Sequence, residues 1–546
     1  MCVSIGELGL NYRQLRPLDE CQKRGARVIE TELKITLDKA AEAALSAHVA
    51  LEGLRVRPRQ TDELVSTYFD TPDQALARAG IALRLRKIGS RFVQTVKVKD
   101  PKAATAHGLF SHVEVEIPAP DRKLVLDGPD AHGVFAAILK AAGDAELMPM
   151  FETHVSRIVE HLAAPCGGEV ELAIDRGEII AGEHRAVICE AEIELMSGDV
   201  TAVFKVARVL FREGPLRFST ANKAARGYLL AATGTADRPL AARNAGALSY
   251  VADTPIETVA RDVLRDCFAQ ISLNMVVVAE SEAPEGPHQL RVGLRRLRTA
   301  LDVLGPSLGA AVIEELSEKA RDFGRVVGLL RDIDVLIGEI VGPETEDGLD
   351  APARTALLTA LEKRRVTVRV GVRAALASPE AVDFVLDLMQ LVEARGWLQP
   401  SDYSQTARLT VPIGAIASKL MDEHAEKAHK KAHKLHHLND DALHELRKKL
   451  KKLRYAAEIL DPIYRGKKVT AYVKSLKKLQ DTFGSINDAA MAAEYLTGPD
   501  APGRKDPDIQ RAVGWVLGRL AAKAGAERPR FFEQWEKFAQ TRQFWT

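Results

Sequence analysis

The chain has 546 residues, with 76 lysines and arginines against 75 aspartates and glutamates, and five scattered cysteines. This length predicts about two to four domains, and the odd number and irregular spacing of the cysteines argue against a disulfide framework or a cysteine metal site. The N-terminus lacks a signal peptide pattern, and no apolar run reaches the ~20 residues of a membrane helix. We therefore expect a soluble, cytoplasmic protein.

The first predicted strand lies in the run Val28–Leu37 and follows residues 1–26, a polar, irregular N-terminal extension to which we assign no function. Successive side chains of a strand point to opposite faces, so Glu30, Glu32 and Lys34 share one face. Two adjacent carboxylates repel each other unless a cation or a proton lies between them. Their oxygen ligands favour Mg²⁺ or Mn²⁺. The alternative is an exposed edge strand with solvated charges.

Residues 27–232 repeat this alternation of charged and apolar side chains after an alanine-rich segment, 38–51, that predicts a helix. The strands predicted on this pattern are 64–70, 81–87, 92–99, 111–117, 169–175 and 188–195. A charged strand face is usually solvated. These faces carry both signs, however, in Arg-x-Arg, Lys-x-Lys and Glu-x-Glu doublets. We therefore predict a closed barrel around a polyanion and its metal, with carboxylates on the metal and basic groups on phosphate oxygens.

Four motifs together resemble the CYTH family, also called triphosphate tunnel metalloenzymes. They are the opening Glu-x-Glu-x-Lys, the strand Leu83–Arg86, the later Glu-x-Glu-x-Glu strand and the segment Asn222–Tyr228. The resemblance covers residues 27–232 and implies an eight-stranded antiparallel β-barrel whose tunnel hydrolyses or cyclises triphosphates. The chain departs from the family at Asn222, where a serine usually precedes the lysine.

The resemblance also implies roles for individual side chains. The implied catalytic residues are Glu30, Glu32, Lys34, Arg84 and Arg86. The implied metal ligands are Glu30, Glu32, Glu192 and Glu194, with Glu190, Glu114 and Glu116 as weaker candidates. The implied triphosphate-binding residues are Lys34, Arg84, Arg86, Lys97, Lys99, Arg157 and Lys223.

Residues 233–252 are small and polar and contain Pro and Gly, which predicts a linker. Residues 253–546 have a helical pattern that starts with a helix over Ile256–Val278. The run His288–Arg298 matches His444–Arg454 at an offset of 156 residues. The same offset brings Gly328–Asp332 onto Gly484–Asp488, which predicts a duplicated helical unit.

The two repeated segments resemble the CHAD domain, which has a His-x-Leu-Arg helix followed by an Arg-Asp or Asn-Asp helix. This resemblance implies two pseudo-symmetric four-helix bundles and binding of inorganic polyphosphate. The predicted fold class is therefore α+β multidomain, with a barrel tunnel followed by an all-α domain. Neither a P-loop nor a Gly-x-Ser-x-Gly elbow is present in the sequence.

The charge pattern favours a polyanion surface independently of the resemblance. Residues 427–478 hold 16 basic and 5 acidic side chains, a local net charge of +11. Two helical stripes at steps of three and four residues are predicted to bind polyphosphate: His288, Arg291, Arg295, Arg298, His444, Arg447, Lys451 and Arg454. The alternative is a set of solvated helix faces.

Two further groups suggest metal ligands. We interpret Asp332, Asp334 and Asp488 as supports of the basic stripe rather than as ligands. The histidines between His424 and His437 include His429, His433 and His437 at helical metal-ligand spacing. Neighbouring lysines would repel a cation there, so an anion-attracting face is favoured over a metal site.

The sequence thus predicts a Mg²⁺- or Mn²⁺-dependent inorganic triphosphatase whose helical half binds polyphosphate. The first alternative is a polyphosphate-binding protein, located at polyphosphate granules, with weak or no hydrolase activity. The second is a nucleotide or thiamine triphosphatase or a class IV adenylate cyclase-like enzyme. No specific nucleic acid or membrane partner is expected.

Overall fold

The computed structural model describes residues 30–99, 108–126, 133–309, 311–342, 348–349, 351–399, 401–433, 435–437, 440–464 and 466–545. The predicted N-terminal extension lies outside the described residues. Two compact units make up the chain. The first comprises residues 1–241 with residues 385–394, and the second comprises residues 242–384 and 395–546.

The first unit is built on a closed antiparallel barrel of eight strands, as predicted. The strands are β1 (Glu30–Thr36), β2 (Gln60–Asp70), β3 (Ile81–Ile88), β4 (Arg91–Lys99), β5 (Leu109–Pro118), β6 (Met148–Ala163), β7 (Glu169–Ala181) and β8 (His184–Ser197). They close in the order β1-β5-β4-β3-β2-β6-β7-β8. Every hydrogen-bonded neighbour in this ring runs antiparallel, so the charged strand faces are brought together inside one barrel.

Short helices accompany the barrel strands: α1 (Lys39–Ser46), α2 (Ala50–Leu54), α3 (Ala75–Arg78), α4 (Val134–Ala142), α5 (Thr201–Leu210) and α6 (Lys223–Thr233). Apolar side chains opposite the charged ones pack under these helices. Leu83 and Val96, for example, are fully buried in a cluster with Phe135 and Ile138 of α4. The barrel therefore buries both faces of its strands, the charged face toward the interior and the apolar face under the helices, which explains the alternation of charged and apolar residues along most of them.

Two details of the barrel differ from the sequence predictions. The helix predicted over 38–51 is two helices, because α1 ends at Ser46 and α2 begins at Ala50. Strand β6 carries Arg157 but was not predicted as a strand. Its sequence mixes polar and apolar residues on both faces, so the alternation that revealed the other strands is weak there.

The second unit is helical, as predicted. Its helices are α7 (Ile256–Glu280), α8 (Glu285–Leu308), α9 (Ala311–Val335), α10 (Ala351–Leu376), α11 (Pro379–Glu393, whose residues 385–393 belong to the first unit), α12 (Tyr403–Thr410), α13 (Ile413–Lys431), α14 (Asp440–Tyr464), α15 (Lys467–Thr497) and α16 (Pro507–Ala539). The repeated segments lie on corresponding helices, α8 with α14 and α9 with α15. Helix α8 also packs against α14, which brings the two predicted basic stripes together.

The arrangement of these helices as two four-helix bundles stays a prediction. Helices α7 to α10 pack in succession, and so do α13 to α16. Among the helices of the described residues, none has the length and apolar character needed to span a membrane.

Candidate active site

The charged faces of the barrel strands point inward, as their alternation predicts. Glu30, Glu32 and Lys34 of β1 are at most 6% exposed. Ion pairs also join strands that are not neighbours in the barrel, such as Glu30 of β1 with Lys97 of β4. These side chains are buried while the opposite, apolar faces of the strands pack under helices, so they line the barrel interior.

One group of possible metal ligands consists of Glu30, His112 and Glu114, whose ligand atoms lie within 4.8 Å of one another. Lys97 Nζ lies 2.7 Å from Glu30 Oε2 and 3.0 Å from Glu114 Oε2, and His112 Nε2 lies 2.6 Å from Glu30 Oε2. Burial opposes ionisation of Glu30, but the charge of Lys97 together with hydrogen bonds from Glu114 and His112 holds the pKa of Glu30 well below its usual value. Burial raises the pKa of Glu114 to about 7, although Lys97 acts in the opposite direction.

A second group consists of Asp175, Glu190 and Glu192. Lys223 Nζ lies 2.6 Å from Asp175 Oδ2 and 2.9 Å from Glu192 Oε1, and it donates a hydrogen bond to Glu190. Arg157 donates bidentate hydrogen bonds to Asp175 at 2.6 and 2.7 Å and another to Glu192 at 2.7 Å. Burial disfavours the charge of Glu192, but Lys223 and its other basic neighbours keep the pKa of Glu192 well below its usual value.

Lys223 reaches this group because of how helix α6 begins. The Asn222 side chain accepts a hydrogen bond from the backbone N–H of Ala225, which caps the helix and makes Lys223 its first residue. Gly227 then lets the helix approach Phe151 of β6 closely, since a Cβ at this glycine would lie 2.1 Å from the Phe151 ring. The asparagine thus supplies an N-cap for the helix, as the serine usual in the family would.

Lys34 links the second group to the glutamate pair of β1. Its Nζ lies 2.6 Å from Glu192 Oε1 and 3.0 Å from Glu32 Oε1. Glu32 is only 2% exposed, and its Oε1 is ion-paired with Lys34 but accepts no well-aligned hydrogen bond among the described residues. A buried carboxylate oxygen whose hydrogen-bonding capacity is not filled can also bind a metal cation.

The arginines of β3 differ in their partners. Arg84 Nη2 lies 3.4 Å from Glu114 Oε1. Arg86 donates to Ser66 Oγ at 3.1 Å, and within the part of the chain that the structure describes it forms no ion pair. Burial, together with repulsion from Arg84 and Arg157, lowers the pKa of Arg86 to about 10. The barrel thus contains a half-buried guanidinium that has no ion-pair partner among the described residues.

Three predicted residues lie outside the two groups of possible metal ligands. Lys99 and Glu116 are exposed, and the structure does not bring them into either acidic group. Glu194 is half-buried and lies opposite Glu32 in the β1–β8 register, outside both groups of possible metal ligands.

Two residues of the buried set, Asp175 and His112, were not among the predicted site residues. Asp175 is fully buried and pairs with Arg157, and it lies on the same strand face as Glu171. His112 shares its face with Glu114 in the same way. Strand parity alone could therefore have identified both, had the search extended beyond glutamate doublets.

The helical unit gathers its own cations on α8 and α14. The pKa of Arg447 is lowered to about 10, mainly by burial and secondly by repulsion from Arg295. The pKa of Lys451 is lowered to about 6, mainly by burial and secondly by repulsion from Arg295 and Arg447. Arg291 and Arg454 also repel Lys451. The predicted stripes thus meet, and we call Arg291, Arg295, Arg447, Lys451 and Arg454 the basic cluster.

The aspartates near this cluster have different roles. Asp332 supports it as interpreted, because Asp332 Oδ1 accepts from Arg291 Nη1 at 2.7 Å. Asp334 does not: its closest basic groups are Arg365 and Arg369 of α10, each 3.8 Å away. The interpretation of Asp334 as a support of the stripe is therefore wrong. Its position two residues after Asp332 turns it toward α10 instead.

The histidine spacing does not form a metal site on one helix. Helix α13 ends at Lys431, so His433 lies beyond it. The ring of His429 packs 5.3 Å from Trp535 and 6.4 Å from Phe538, measured between centroids. His429 is therefore part of an aromatic cluster.

Comparison with known families agrees with both halves of this description. Residues 28–228 match the CYTH domain, and residues 262–497 match the CHAD domain. The chain contains a CYTH domain and a CHAD domain. The CYTH domain includes every barrel residue described above, and the CHAD domain includes the basic cluster.

Two curated relatives cover different shares of the chain. An inorganic triphosphatase of Haemophilus influenzae is 31% identical over 204 residues, which are 37% of this chain and 54% of that relative, so the match spans about half of its length. An uncharacterized protein of Mycobacterium tuberculosis is 26% identical over 514 residues, which cover 87% of this chain and 89% of the relative.

Two solved structures resemble single domains. The CHAD domain from the plant Ricinus communis is 25% identical, with a TM-score of 0.48, and the match covers 55% of this chain and 98% of that structure. A putative adenylyl cyclase from Hippeastrum, with a dominant triphosphatase activity, is 19% identical, with a TM-score of 0.25. That match covers 38% of this chain and 97% of the Hippeastrum structure.

Proposed function

We propose that the CYTH domain is a metal-dependent inorganic triphosphatase that converts triphosphate to pyrophosphate and phosphate. The observation that carries this proposal is Arg86, a half-buried guanidinium that has no ion pair among the described residues and lies near Arg84 and Arg157. A cation held among cations is stabilised by a bound anion. A triphosphate is a compact polyanion that supplies this charge, and acidic groups for a metal lie in the same barrel.

The acidic residues fit a divalent cation by their donor chemistry. Asp175, Glu190 and Glu192 offer only oxygen, the preference of Mg²⁺ and Mn²⁺, and Glu32 adds a buried carboxylate oxygen nearby. Glu30 and Glu114 lie in the other group. A metal held there would polarise a phosphoryl oxygen and neutralise developing charge.

The remaining catalytic roles fall to basic side chains of the barrel. Lys97 and Lys223 now neutralise the two acidic groups, and metal binding would leave their ammonium groups to phosphate oxygens. Arg84 and Arg86 would bind adjacent phosphate oxygens and stabilise charge in the transition state. Lys34, fixed between Glu32 and Glu192, would orient the phosphate chain beside the metal ligands. The inorganic substrate is favoured by the similarity to the Haemophilus influenzae triphosphatase.

The test is phosphate release by the purified full-length protein from triphosphate, ATP and thiamine triphosphate, each with Mg²⁺, with Mn²⁺ and with a chelator. We expect metal-dependent hydrolysis with triphosphate as the best substrate. A preference for ATP or thiamine triphosphate would replace the inorganic substrate by a nucleotide or thiamine substrate. Equal release with and without metal would overturn the metal-dependent mechanism.

A second function, polyphosphate binding by the CHAD domain, rests on the basic cluster. Lysine and arginine side chains that depress each other's pKa values gain from a linear polyanion, which also releases counterions on binding. In this proposal, residues 27–232 and 253–546 act as separate modules, joined by residues 233–252, in a cytoplasmic protein. Association with polyphosphate granules would follow from the same binding.

Polyphosphate binding is tested on the full-length protein by titration with a defined polyphosphate chain. We expect Glu32→Gln to leave this affinity unchanged and Arg295→Gln to lower it. Loss of affinity in Glu32→Gln would place the binding site in the barrel and contradict the division into two modules.

A further inference from the structure

His112 of strand β5 brings a nitrogen atom into the acidic interior of the barrel. It lies opposite Glu30 in the β1–β5 register, shares its strand face with Glu114, and is only 7% exposed. Its Nε2 lies 2.6 Å from Glu30 Oε2, and one ligand atom from each of Glu30, His112 and Glu114 lies within 4.8 Å of the others. This group therefore combines one imidazole nitrogen with two carboxylate oxygens, whereas the other acidic group of the barrel offers oxygen alone.

The ammonium group of Lys97 occupies the point where these three ligand atoms converge. Its Nζ lies 2.7 Å from Glu30 Oε2, 3.0 Å from Glu114 Oε2 and 2.9 Å from His112 Nε2. The three atoms are thus already arranged around a positive charge. A transition metal with bonds of about 2.0–2.2 Å to nitrogen and oxygen needs ligand atoms about 3 Å apart, which requires only small shifts of Glu30 and His112.

A further carboxylate oxygen lies at the edge of this group. Glu32 Oε1 is 3.8 Å from His112 Nε2, and Glu32 is 2% exposed. This oxygen is ion-paired with Lys34, but among the described residues it accepts no well-aligned hydrogen bond. Buried carboxylate oxygens normally have their hydrogen-bonding capacity filled, so Glu32 Oε1 has capacity left for a cation beside His112.

We propose that His112 is a nitrogen ligand of a metal bound with Glu30 and Glu114, and that it makes this site selective for divalent transition metals over Mg²⁺. Imidazole suits Zn²⁺ and its neighbours in the first transition row, whereas Mg²⁺ prefers oxygen ligands and keeps its water. Lys97 carries its ammonium on a flexible four-carbon side chain, which can move to a phosphate oxygen when a metal takes its place. The inference rests on the metal dependence proposed above.

The test is pulsed electron paramagnetic resonance of the full-length protein with one and two equivalents of Mn²⁺. A directly bound imidazole adds a ¹⁴N modulation to the electron spin echo, whereas carboxylate and water ligands do not. We expect this modulation in the wild-type protein and its loss in His112→Gln. The matched control is His154→Gln, at a half-exposed histidine of β6 whose Nε2 lies 3.1 Å from Glu152, and this variant should keep the modulation.

Calorimetric titration with Zn²⁺ and with Mg²⁺ separates a ligand from a side chain that only holds Glu30 in place. His112→Gln should lower the affinity for Zn²⁺ by about 10-fold or more and change that for Mg²⁺ by less than about twofold. Equal losses for the two metals would reduce His112 to a support of Glu30 and overturn the proposal.

The spectrum of the wild-type protein decides the question even if His112→Gln does not fold. Absence of ¹⁴N modulation at both Mn²⁺ ratios overturns the proposal without any variant, and so does modulation that persists in folded His112→Gln. The measurement requires no turnover. Nitrogen-ligated Mn²⁺ in a protein that does not hydrolyse triphosphate would therefore support the role of His112 and contradict only the proposed activity.

Discussion

The barrel interior and the basic cluster of the helices bury similar side chains with opposite consequences. Burial alone disfavours a charged lysine in either place. In the barrel, Glu192 and its neighbouring carboxylates reverse this effect, and the pKa of Lys34 lies well above its usual value. In the basic cluster, arginines add to the effect, and the pKa of Lys451 falls to about 6. The sign of the neighbouring charges therefore decides whether a lysine shielded from solvent holds its proton tightly or releases it easily.

This difference in the surroundings of the lysines indicates how each region could bind an anion. The barrel is nearly neutralised internally, and a metal can rearrange its ion pairs to favour phosphate. In the basic cluster, Arg291 pairs with Asp332 and Arg454 with Glu458, and we propose that a polyanion neutralises the remaining charge. Arg86 is the exception inside the barrel, because among the described residues it has no ion pair. Like the side chains of the basic cluster, Arg86 has arginines as neighbours, and we therefore propose that a phosphate group of the substrate binds at Arg86.

The largest expected effect comes from removing one arginine in each region. Arg157→Gln leaves the fully buried Asp175 without its bidentate partner and should lower the free energy of unfolding of the barrel by about 3–5 kcal/mol. Arg295→Gln should leave the helical unit equally or more stable, since it relieves repulsion within the basic cluster. Scanning calorimetry follows both units. Tryptophan fluorescence reports the helical unit alone, because all four tryptophans lie there.

Next in size is the loss of a proposed metal ligand. Glu32→Gln removes the charge of a buried carboxylate proposed to bind the metal and should reduce metal-dependent triphosphate hydrolysis by about 100-fold or more. Isothermal titration should show a matching loss of metal affinity. Glu63→Gln, on an exposed part of β2, is the matched control. Similar hydrolysis by the two variants would show that Glu32 does not act through the metal.

Arg86 provides a test in which function and stability separate. Arg86→Gln should weaken triphosphate binding by about 10–100-fold, because a hydrogen bond to a charged group is worth about 1.5–3 kcal/mol. The same change should preserve or raise the unfolding midpoint, since it relieves the repulsion from Arg84 and Arg157. A marked fall in the midpoint would mean that Arg86 is neutralised by the fold itself.

A smaller effect concerns how Lys223 is positioned. Gly227→Ala places a methyl group against the Phe151 ring and should cost about 1–3 kcal/mol of stability by overpacking. Displacement of helix α6 should also lower activity, because it moves Lys223 away from its position at the acidic group. Gly53→Ala in α2 is the control, because its new Cβ meets nothing within 4 Å. Equal melting temperatures for the two variants would argue against close packing of α6.

The smallest expected effect is the pH dependence of polyphosphate binding. A bound polyanion raises the pKa of Lys451 above its value of about 6 in the free protein. The contribution of Lys451 to affinity is therefore complete below pH 6 and is lost as pH rises through the higher pKa of the complex. Titrations between pH 5.5 and 8.5 should show a steeper fall in affinity for the wild type than for Lys451→Met. Parallel curves would show that Lys451 does not take up a proton on binding.

Much of the barrel and of its site was determined by the sequence. Because side chains alternate along a strand, Glu30, Glu32 and Lys34 had to share a face, and so did Arg84 and Arg86. The fixed offset of 156 residues located the two basic stripes on equivalent helices. These predictions succeed because they depend on local periodicity, which each strand or helix imposes on its own residues.

Only the tertiary structure decided which charges are paired. Sequence does not specify that Asp175 meets Arg157 from the neighbouring strand while Arg86 meets no carboxylate among the described residues. It also does not specify that Asp334 turns to α10, or that Lys451 is left among arginines while Lys452 finds Asp302. Ion pairing depends on distances of a few ångströms between segments far apart in the chain, which the closure of the barrel and the packing of α8 on α14 fix.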